Sequence, residues 1–534
     1  MDTQTIQRKR WVILSVLVVG LLAVVIDNTV LNVALKTIAN PVGGLGASQS
    51  QLEWAINSYT LVFAGLLFTF GVIGDRVGRK RMLMIGLLVF GLGSLLSAYA
   101  HSPDQLIAAR AVMGLGGAAV MPQTLSIISN VFEPSERARA IGIWASAVGI
   151  GVAIGPVLGG LLLGHFWWGS VFLINVPVTV LGAVAVFVLV PESRNPAPGR
   201  IDYLGVLASI VGLVLLVYGI VQGGDGASWT SAQVLGPVVG GLAVLALFAW
   251  YETRIGHPSL DIRLFRDRRL SASVGAIALL FFGMGGVYFF TAFYLQNVRG
   301  YSALYAGLLA VPFAIGQFIT SPRSATLVNR YGARTVAVGG MLLNALAIAG
   351  YSFLGLSTPI IVLAVLFFIQ GAGMGATVPT ATAAVMDVLP RERAGAGSAL
   401  TNTARQVAVA LGVAVLGSIL AGSYRSTMSP TLAALPPAAR ANAGQSVSAT
   451  QAVAEHLGSA GQFLIEPGNA AFVSAMRITT LVATAIAVLG GFIVMRWLPG
   501  RPRPTIEELV AAEVAAAERD LAARRSLQRE LSES

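Results

Sequence analysis

The chain has 534 residues, of which 55% are hydrophobic and only 11% charged, less than half the share of about 25% found in an ordinary soluble domain. So little polar surface excludes a soluble enzyme of this length, and the absence of cysteine excludes disulfides, thiolate metal sites and cysteine nucleophiles. A net charge of +11, from 35 basic and 24 acidic residues, would point to a nucleic-acid partner in a soluble protein, so its meaning rests on where the charges fall.

A membrane-crossing helix needs about 20 mostly apolar residues. In chain order that ruler predicts fourteen spans, near 11–38, 52–74, 82–100, 105–131, 139–163, 170–190, 203–221, 234–251, 271–296, 303–328, 335–355, 360–386, 396–421 and 472–496. The runs are too long, and too poor in alternation, for the strands of a membrane barrel. The apolar run from Trp11 passes beyond a short signal-peptide core without a small-residue cleavage site, so span 1 is read as a retained helix. With the N-terminus cytoplasmic, 28 of the 35 basic residues fall in inner segments, five in outer ones and two, Arg110 and Arg405, within spans. Inner segments hold 18 acids, outer segments five, and Asp27 is the only acid assigned to the hydrocarbon. The net charge is therefore an orientation signal on the inner face, helped by attraction to anionic lipid, and both termini are expected to be cytoplasmic.

Outside the spans, residues 422–471 are rich in Ala, Ser and Pro and are expected to form a long outer loop. Beyond Pro502 and Pro504, Thr505 and Glu508 make a capping box for a cytoplasmic helix over 498–534. Its early acids and late arginines match the helix dipole, and it reads as a solvated or membrane-surface tail.

The first and last thirds of the chain repeat at a shift near 256. Gly114-Leu-Gly-Gly-Ala-Ala-Val-Met-Pro122 matches Gly371-Ala-Gly-Met-Gly-Ala-Thr-Val-Pro379, and Pro134-Ser-Glu-Arg-Ala-Arg-Ala matches Pro390-Arg-Glu-Arg-Ala-Gly-Ala. Asp75-Arg76-Val77-Gly78 finds a weaker counterpart in Asn329-Arg330-Tyr331-Gly332. Spans 1–6 then correspond to spans 9–14 in the same orientation, with spans 7–8 inserted. Parallel six-helix halves are the arrangement of a rocker-type secondary transporter. The expected organisation is an inner N-terminus (1–10), an N-terminal bundle (11–190), an inserted pair with its loops (191–270), a C-terminal bundle (271–497) and the C-terminal helix.

Several residues carry chemistry. An ionised Asp27 inside span 1 costs roughly 2.5–3.5 kcal/mol, and a carboxyl group in that medium can take up and release a proton near neutral pH. Neutralisation by local bonds, from Asn28 or Asn32, is the structural alternative. Arg110 cannot shed its charge and must face water, an acid or carbonyls, unless it snorkels to an interface. Arg405, near the inner end of span 13, reads as a snorkelling side chain. The tight loop Gly71-Val-Ile-Gly-Asp75-Arg76-Val-Gly78-Arg79-Lys80 permits a sharp turn, and its charges can latch neighbouring helix ends and release when the halves rock. In span 5, Gly151, Gly155 and Gly159 share one face for close helix approach, and Pro156 adds a kink. On span 9, Phe282, Phe289 and Phe293 lie near one face. They can stack on a flat cation, or simply pack or meet lipid. With Asp27 and Asn57 they make the candidate substrate pocket. Gly114-Leu-Gly116 imitates a dinucleotide fingerprint, but it lies within a span with no preceding strand. No Walker motif is present, and the four histidines form no metal constellation.

The decapeptide Gly71–Lys80 resembles the signature loop of the major facilitator superfamily. Leu106-Ile-Ala-Ala-Arg110-Ala-Val-Met-Gly114-Leu-Gly116 resembles its fourth-helix motif, and Gly149-Ile-Gly151-Val-Ala-Ile-Gly155-Pro156-Val-Leu-Gly159-Gly160 its antiporter motif. Ile26-Asp27-Asn28-Thr29-Val30-Leu31-Asn32-Val33-Ala34-Leu35, Leu173-Ile-Asn175-Val-Pro177 and Tyr301-Ser-Ala-Leu-Tyr-Ala-Gly307 are similar to motifs of its fourteen-helix drug:proton antiporters. Two features depart from that pattern: Trp167-Trp168-Gly169-Ser170 stands where relatives carry Trp-Arg-Trp, and Asn329 replaces the latch acid in the second half. The resemblance implies an all-α polytopic membrane protein with the major facilitator fold, two six-helix bundles plus two helices. It implies a monomer in a bacterial plasma membrane, driven by the proton gradient without cofactor, metal or nucleic acid. Asp27 and Arg110 would couple protons to export of small amphipathic, often cationic, drugs or dyes. The alternatives are a dedicated exporter of one antibiotic, lipid or metabolite, or a membrane receptor or enzyme without transport.

Overall fold

The computed structural model describes residues 3–194, 202–256, 258, 261–388 and 394–498, and within them every regular element is helical. Helices satisfy their own backbone, which a lipid environment demands. The N-terminal part holds α1 (Thr3–Ala39), α2 (Gln49–Val77), α3 (Arg79–Ala98), α4 (Pro103–Val131), α5 (Pro134–His165), the single turn α6 (Ser170–Leu173) and α7 (Asn175–Leu189). A hairpin follows, α8 (Tyr203–Gly224) and α9 (Ala232–Glu252). The C-terminal part runs through α10 (Arg268–Phe293), α11 (Ala303–Leu308), α12 (Val311–Thr320), α13 (Ser324–Tyr331), α14 (Ala333–Tyr351), α15 (Ile360–Val388) and α16 (Ala394–Leu432). It ends with α17 (Pro437–Ala443), α18 (Val447–Leu457) and α19 (Ile465–Trp497).

Among the described residues, twelve helices are long and apolar enough to cross a membrane, or thirteen with one bent pair taken as a single span. The fourteen expected from hydropathy are therefore not reached. The bent pair is α2, which turns by 54° between Gln49–Leu67 and Thr69–Val77. The span expected at 139–163 falls on α5, a continuous 32-residue helix whose qualifying apolar stretch among the described residues is Ile154–His165. The expected C-terminal helix over 498–534 lies, but for Leu498, outside the described residues.

The repeated glycines explain how the helices close on one another. On α4, a Cβ at Gly114 would press on the Tyr59 backbone of α2, and one at Gly116 would run into the Phe90 backbone of α3. On α15, Gly371 meets the Phe313 carbonyl of α12 in the same way, and Gly373 meets Gly340 and Asn344 of α14. The two copies of one motif thus admit two neighbouring backbones each. The turn residues repeat as well. Gly78 (φ 126°) joins α2 to α3 and Gly332 (φ 86°) joins α13 to α14, each with a positive φ that other residues adopt only under strain.

The α5 glycine stripe packs on α1, with Gly151 against Val25, Gly155 against Thr29 and Gly159 against Val30. In the hairpin, α8 lies against α2 through Gly65 and Ile210 and against α16 through Gly224 and Ser418. Outward-facing Leu235, Val239, Leu242 and Leu247 on α9 suit a lipid boundary.

The segment 422–471 is more helical than a loop. The helix of span 13 continues to Leu432 and that of span 14 starts at Ile465, with α17 and α18 between them. It is docked rather than free: Asn297 donates to Ser448 (3.0 Å) and Gln451 (2.8 Å), and the Tyr424 and Thr450 hydroxyls meet at 2.6 Å.

Gly116→Ala should lower stability by about 1–3 kcal/mol, because its new methyl group enters a filled backbone contact. Gly164→Ala, with open space around that position, should leave the melting temperature of the detergent-purified protein unchanged. Equal melting temperatures for both variants would contradict this packing account.

Candidate functional site: a buried ion pair and the seam between the halves

Asp27 of α1 and Arg110 of α4 form an ion pair through Oδ2 and Nη1, with side-chain exposures of 0% and 1%. Five helices build its surroundings. Arg110 donates from Nε to the Ala55 carbonyl of α2 (3.1 Å), and its guanidinium lies 4.4 Å from the centre of the Tyr59 ring. Asn175, at the start of α7, donates to Asp27 Oδ1 (3.3 Å) and approaches Ser94 of α3 (3.5 Å). A guanidinium cannot lose its proton in this setting, so the pair, the carbonyl and the aromatic face are what make its burial tolerable.

The local bonds that Asn28 or Asn32 would make in the structural alternative go elsewhere. Asn28 donates to Val24 O (2.9 Å) and to the Tyr59 hydroxyl (3.0 Å), and Asn32 to Asn28 O (3.3 Å). The amide that does reach Asp27 belongs to Asn175, a member of the Leu173–Pro177 motif whose role no spacing argument could assign.

The signature loop is held within the N-terminal half. Asp75 accepts from Arg79 Nε at 2.8 Å, Arg79 also points at the Ser126 carbonyl of α4 (3.5 Å), and Gly74 leaves space that Gln123 fills. Glu192, just past α7, accepts from the Lys80 backbone (3.1 Å) and lies 3.6 Å from Arg81. Lys80 Nζ donates to Phe187 O at 2.6 Å. Gly78 faces the Glu192 carboxylate, and Gly71 abuts Pro122. Arg76 is exposed. Glu192 is a partner that hydropathy and motif reading missed, since it stands 112 residues from Lys80. Nearby, Arg10 and Glu136 make a two-pronged pair (2.7 and 3.0 Å) that ties the starts of α1 and α5 together.

Hydrogen bonds between the halves lie at the pole remote from these basic loops. Lys36 donates to Gln296 O (2.6 Å), Gln296 to Val33 O (2.9 Å) and Gln49 to Gly417 O (3.1 Å). Gly307 of α11 sits on the Pro156 carbonyl, and Gly160 on the backbone of Leu304. Below this closure, a small cavity of about 40 Å³ lies between the halves, lined by Thr29, Asn32, Pro156, Tyr288, Gln296 and Phe367 among others.

The aromatic candidates divide. Phe289 and Phe293 are buried and pack edge to face at 5.4 Å, and half-buried Phe282 presents its backbone to Gly412. None of the three lines the pocket, whereas Tyr288 does. Asn57 is fully buried, with neither amide atom hydrogen-bonded, and is outside the pocket as well.

Two charged residues differ from their sequence readings. Arg405 does not snorkel. Its Nε is buried without a partner, and its guanidinium lies 5.5 Å from the Phe281 ring centre. Nor is Asp27 the only buried acid: Glu53, at the start of α2, is 2% exposed. A single charge near the end of a span reads as interfacial, and only packing shows otherwise.

The chain matches the Major Facilitator Superfamily over residues 17–413. It belongs to that superfamily. Among its relatives, the Multidrug efflux pump LfrA of Mycolicibacterium smegmatis is 34% identical over 491 residues, covering 91% of this chain and 96% of that one. The Methyl viologen resistance protein SmvA of Salmonella typhimurium is 35% identical over 425 residues, 79% and 84% of the two chains. Among solved structures, the inward-facing, occupied form of a bacterial homolog of the human lysosomal transporter Spinster superposes with a TM-score of 0.68. It does so at 18% identity, over 92% of this chain and 97% of that one, which speaks for the major facilitator fold alone.

Two predictions follow from this superfamily member's charges. Asp27→Asn strands a guanidinium that cannot neutralise itself and should cost about 3–5 kcal/mol. Arg110→Met leaves a carboxyl group that can take a proton, so its loss should be smaller and should shrink further from pH 8 to pH 5.5. Thermal unfolding in detergent at both pH values reads the asymmetry, and equal losses at both would refute it. Separately, a charge about 10 Å from a bound cation acts with roughly 1.7 kcal/mol at an effective dielectric of 20. Arg405→Gln should therefore bind ethidium more tightly, by about twentyfold, in an equilibrium fluorescence titration; unchanged affinity would place Arg405 away from the binding cleft.

Proposed function

We propose that the protein is a proton-coupled antiporter that exports small amphipathic drugs or dyes, often cationic, from the cytoplasm. The observation that carries this reading is the fully buried Asp27–Arg110 pair at the centre of the N-terminal one of two repeated halves. Asp27 can exist in two states, as a carboxylate bound to Arg110 or as a protonated acid. The same guanidinium keeps the Ala55 carbonyl and the Tyr59 face as partners in either state. A proton therefore competes with Arg110 for Oδ2, and exchange of one for the other is a two-position switch connecting α1 with α4.

The basic loops are then cytoplasmic and the closed pole is external. Asp27 takes a proton from outside, favours the inward-facing form, and releases the proton inside as substrate binds. The intact ion pair then corresponds to the state after release. Moving one proton across 100 mV supplies about 2.3 kcal/mol, so no ATP site is required. The chain is read as crossing a bacterial plasma membrane fourteen times, counting α2 and α5 as one span each, with both termini inside. It works as a monomer without cofactor, among anionic lipids that favour its basic face. The relatives named as a multidrug efflux pump and a methyl viologen resistance protein support drug export.

Reconstitution in proteoliposomes tests the reading. With an imposed pH gradient the wild type should drive ethidium uphill, and Asp27→Asn should lose gradient-driven movement while retaining downhill exchange. Unchanged gradient-driven transport in Asp27→Asn would remove that residue from coupling. Failure of the wild type to expel any lipophilic cation would instead favour a dedicated exporter of one compound.

A further inference from the structure

Glu53 lies where the two halves meet, yet its surroundings do not suit a carboxylate. It is 2% exposed and packs against Gly417 of α16, where any side chain on the glycine would strike the carboxyl group. Its polar partner is a neutral amide, Gln49 Nε2, at 3.4 Å; the same amide donates to Gly417 O at 3.1 Å and so bridges the halves. The charges on the packed elements do not compensate. On α8, Asp225 at the C-terminal end is a like charge. On α16, Arg425 gives its Nη1 hydrogen to the Gly224 carbonyl at 3.3 Å, two turns beyond Gly417. On α2 itself, no cation is bonded to Glu53 among the described residues.

One turn further along the same α2 face, Asn57 is fully buried with both amide atoms unpaired. Next on that face, Leu61 closes the seam against Val217, Ala410 and Ala414. Burying a carboxylate without a cation, or an amide without partners, works against the closed state. A seam that carries both is poorly suited to permanent closure and well suited to reopening.

We propose that Glu53 is a second proton-binding site, one that gates the closed pole and whose proton is not carried across the membrane. When the pole is open, a Glu53 oxygen takes a proton from a hydronium ion of the adjoining water, forming an O–H bond and leaving water. The neutral carboxyl group then packs against Gly417 as α2 and α16 close. On reopening the proton returns to the same side, so the number of protons exchanged per substrate is unaffected. This inference rests on reading the chain as an alternating-access transporter, but it assigns Glu53 a role separate from that of Asp27.

The absence of native cysteine makes a spin-label test direct. Val42, after α1, and Phe353, after α14, are both 83% exposed and lie in opposite halves at the closing pole. Val42→Cys and Phe353→Cys are labelled in an Asp27→Asn, Arg110→Met background, which removes the other proton site without stranding a charge. Electron–electron double resonance then reads the gate distance at pH 5.5 and 8.5. The parent should move from a mostly short to a mostly long distance as pH rises, with the short population falling at least threefold. Glu53→Gln should stay short at both pH values, and Glu53→Asp and Asp225→Asn should keep the shift. A parent that does not move, a Glu53→Gln variant that moves with it, or a shift abolished by Asp225→Asn would overturn the proposal. None of these outcomes depends on whether Asp27 couples transport, which the proteoliposome experiment reads.

Discussion

A guanidinium that cannot discharge, placed where water does not reach, constrains everything around it. Arg110 is 1% exposed, and the groups that make this tolerable come from three other helices: the carboxylate from α1, a carbonyl and a ring from α2, and through Asp27 an amide from α7. These four helices cannot shift independently without leaving a charge or a donor unmet. The N-terminal half is thus held together at its centre by electrostatic satisfaction, which is directional, and not by apolar packing alone, which is not. Only one member of the set has a second chemical state, and that member is Asp27.

The glycine pattern complements this. Within each half the helices approach so closely that a single methyl group would meet backbone, and the same two glycines perform this task in both repeats. In lipid the hydrophobic effect does not press helices together, and close van der Waals contact with few voids replaces it. Each half can then move as a rigid body. Between the halves, Gly160 and Gly307 also meet backbone, and the hydrogen bonds found among the described residues are single polar links: Lys36, Gln296 and Gln49 each reach one backbone carbonyl. Stiffness inside the halves and weak, reversible bonding between them is the mechanical requirement for rocking about a central site.

Much of this was legible in the sequence because hydropathy and glycine spacing are local. The spans, the repeat, the turn at Gly78 and its echo at Gly332 all follow from windows of fewer than thirty residues. What stayed hidden depended on helix rotation and on distance along the chain. Nothing local says that Arg110 turns toward Asp27, 83 residues away, or that Asn175 and not Asn28 completes the shell. Arg405 and Glu53 were misjudged for the same reason. Depth along a helix can be counted from its ends, whereas the face a side chain presents is decided by its neighbours. The Phe282, Phe289 and Phe293 stripe shows the limit from the other direction: a shared face is readable, but whether it meets a ligand, lipid or another helix is not.

The distribution of charge also argues for direction. The basic loops crowd one pole, where Asp75, Glu136 and Glu192 pair with arginines inside the N-terminal half. The other pole closes through amides, one lysine and a carboxyl group with no cation bonded to it among the described residues. Ion pairs confined to one half survive its movement unchanged, so the basic pole can part without breaking them. Bonds that cross the seam must break at each reopening, and there the chain uses single links to backbone carbonyls, two from neutral amides, each worth roughly 0.5–1.5 kcal/mol, and one from the Lys36 ammonium, worth roughly 1.5–3 kcal/mol. The unmet polarity of Glu53 and Asn57 offsets part of even that small sum. A closure so nearly balanced can be tipped by the binding of one proton or one substrate, which is the energetic condition for a pump that must open at either pole in turn.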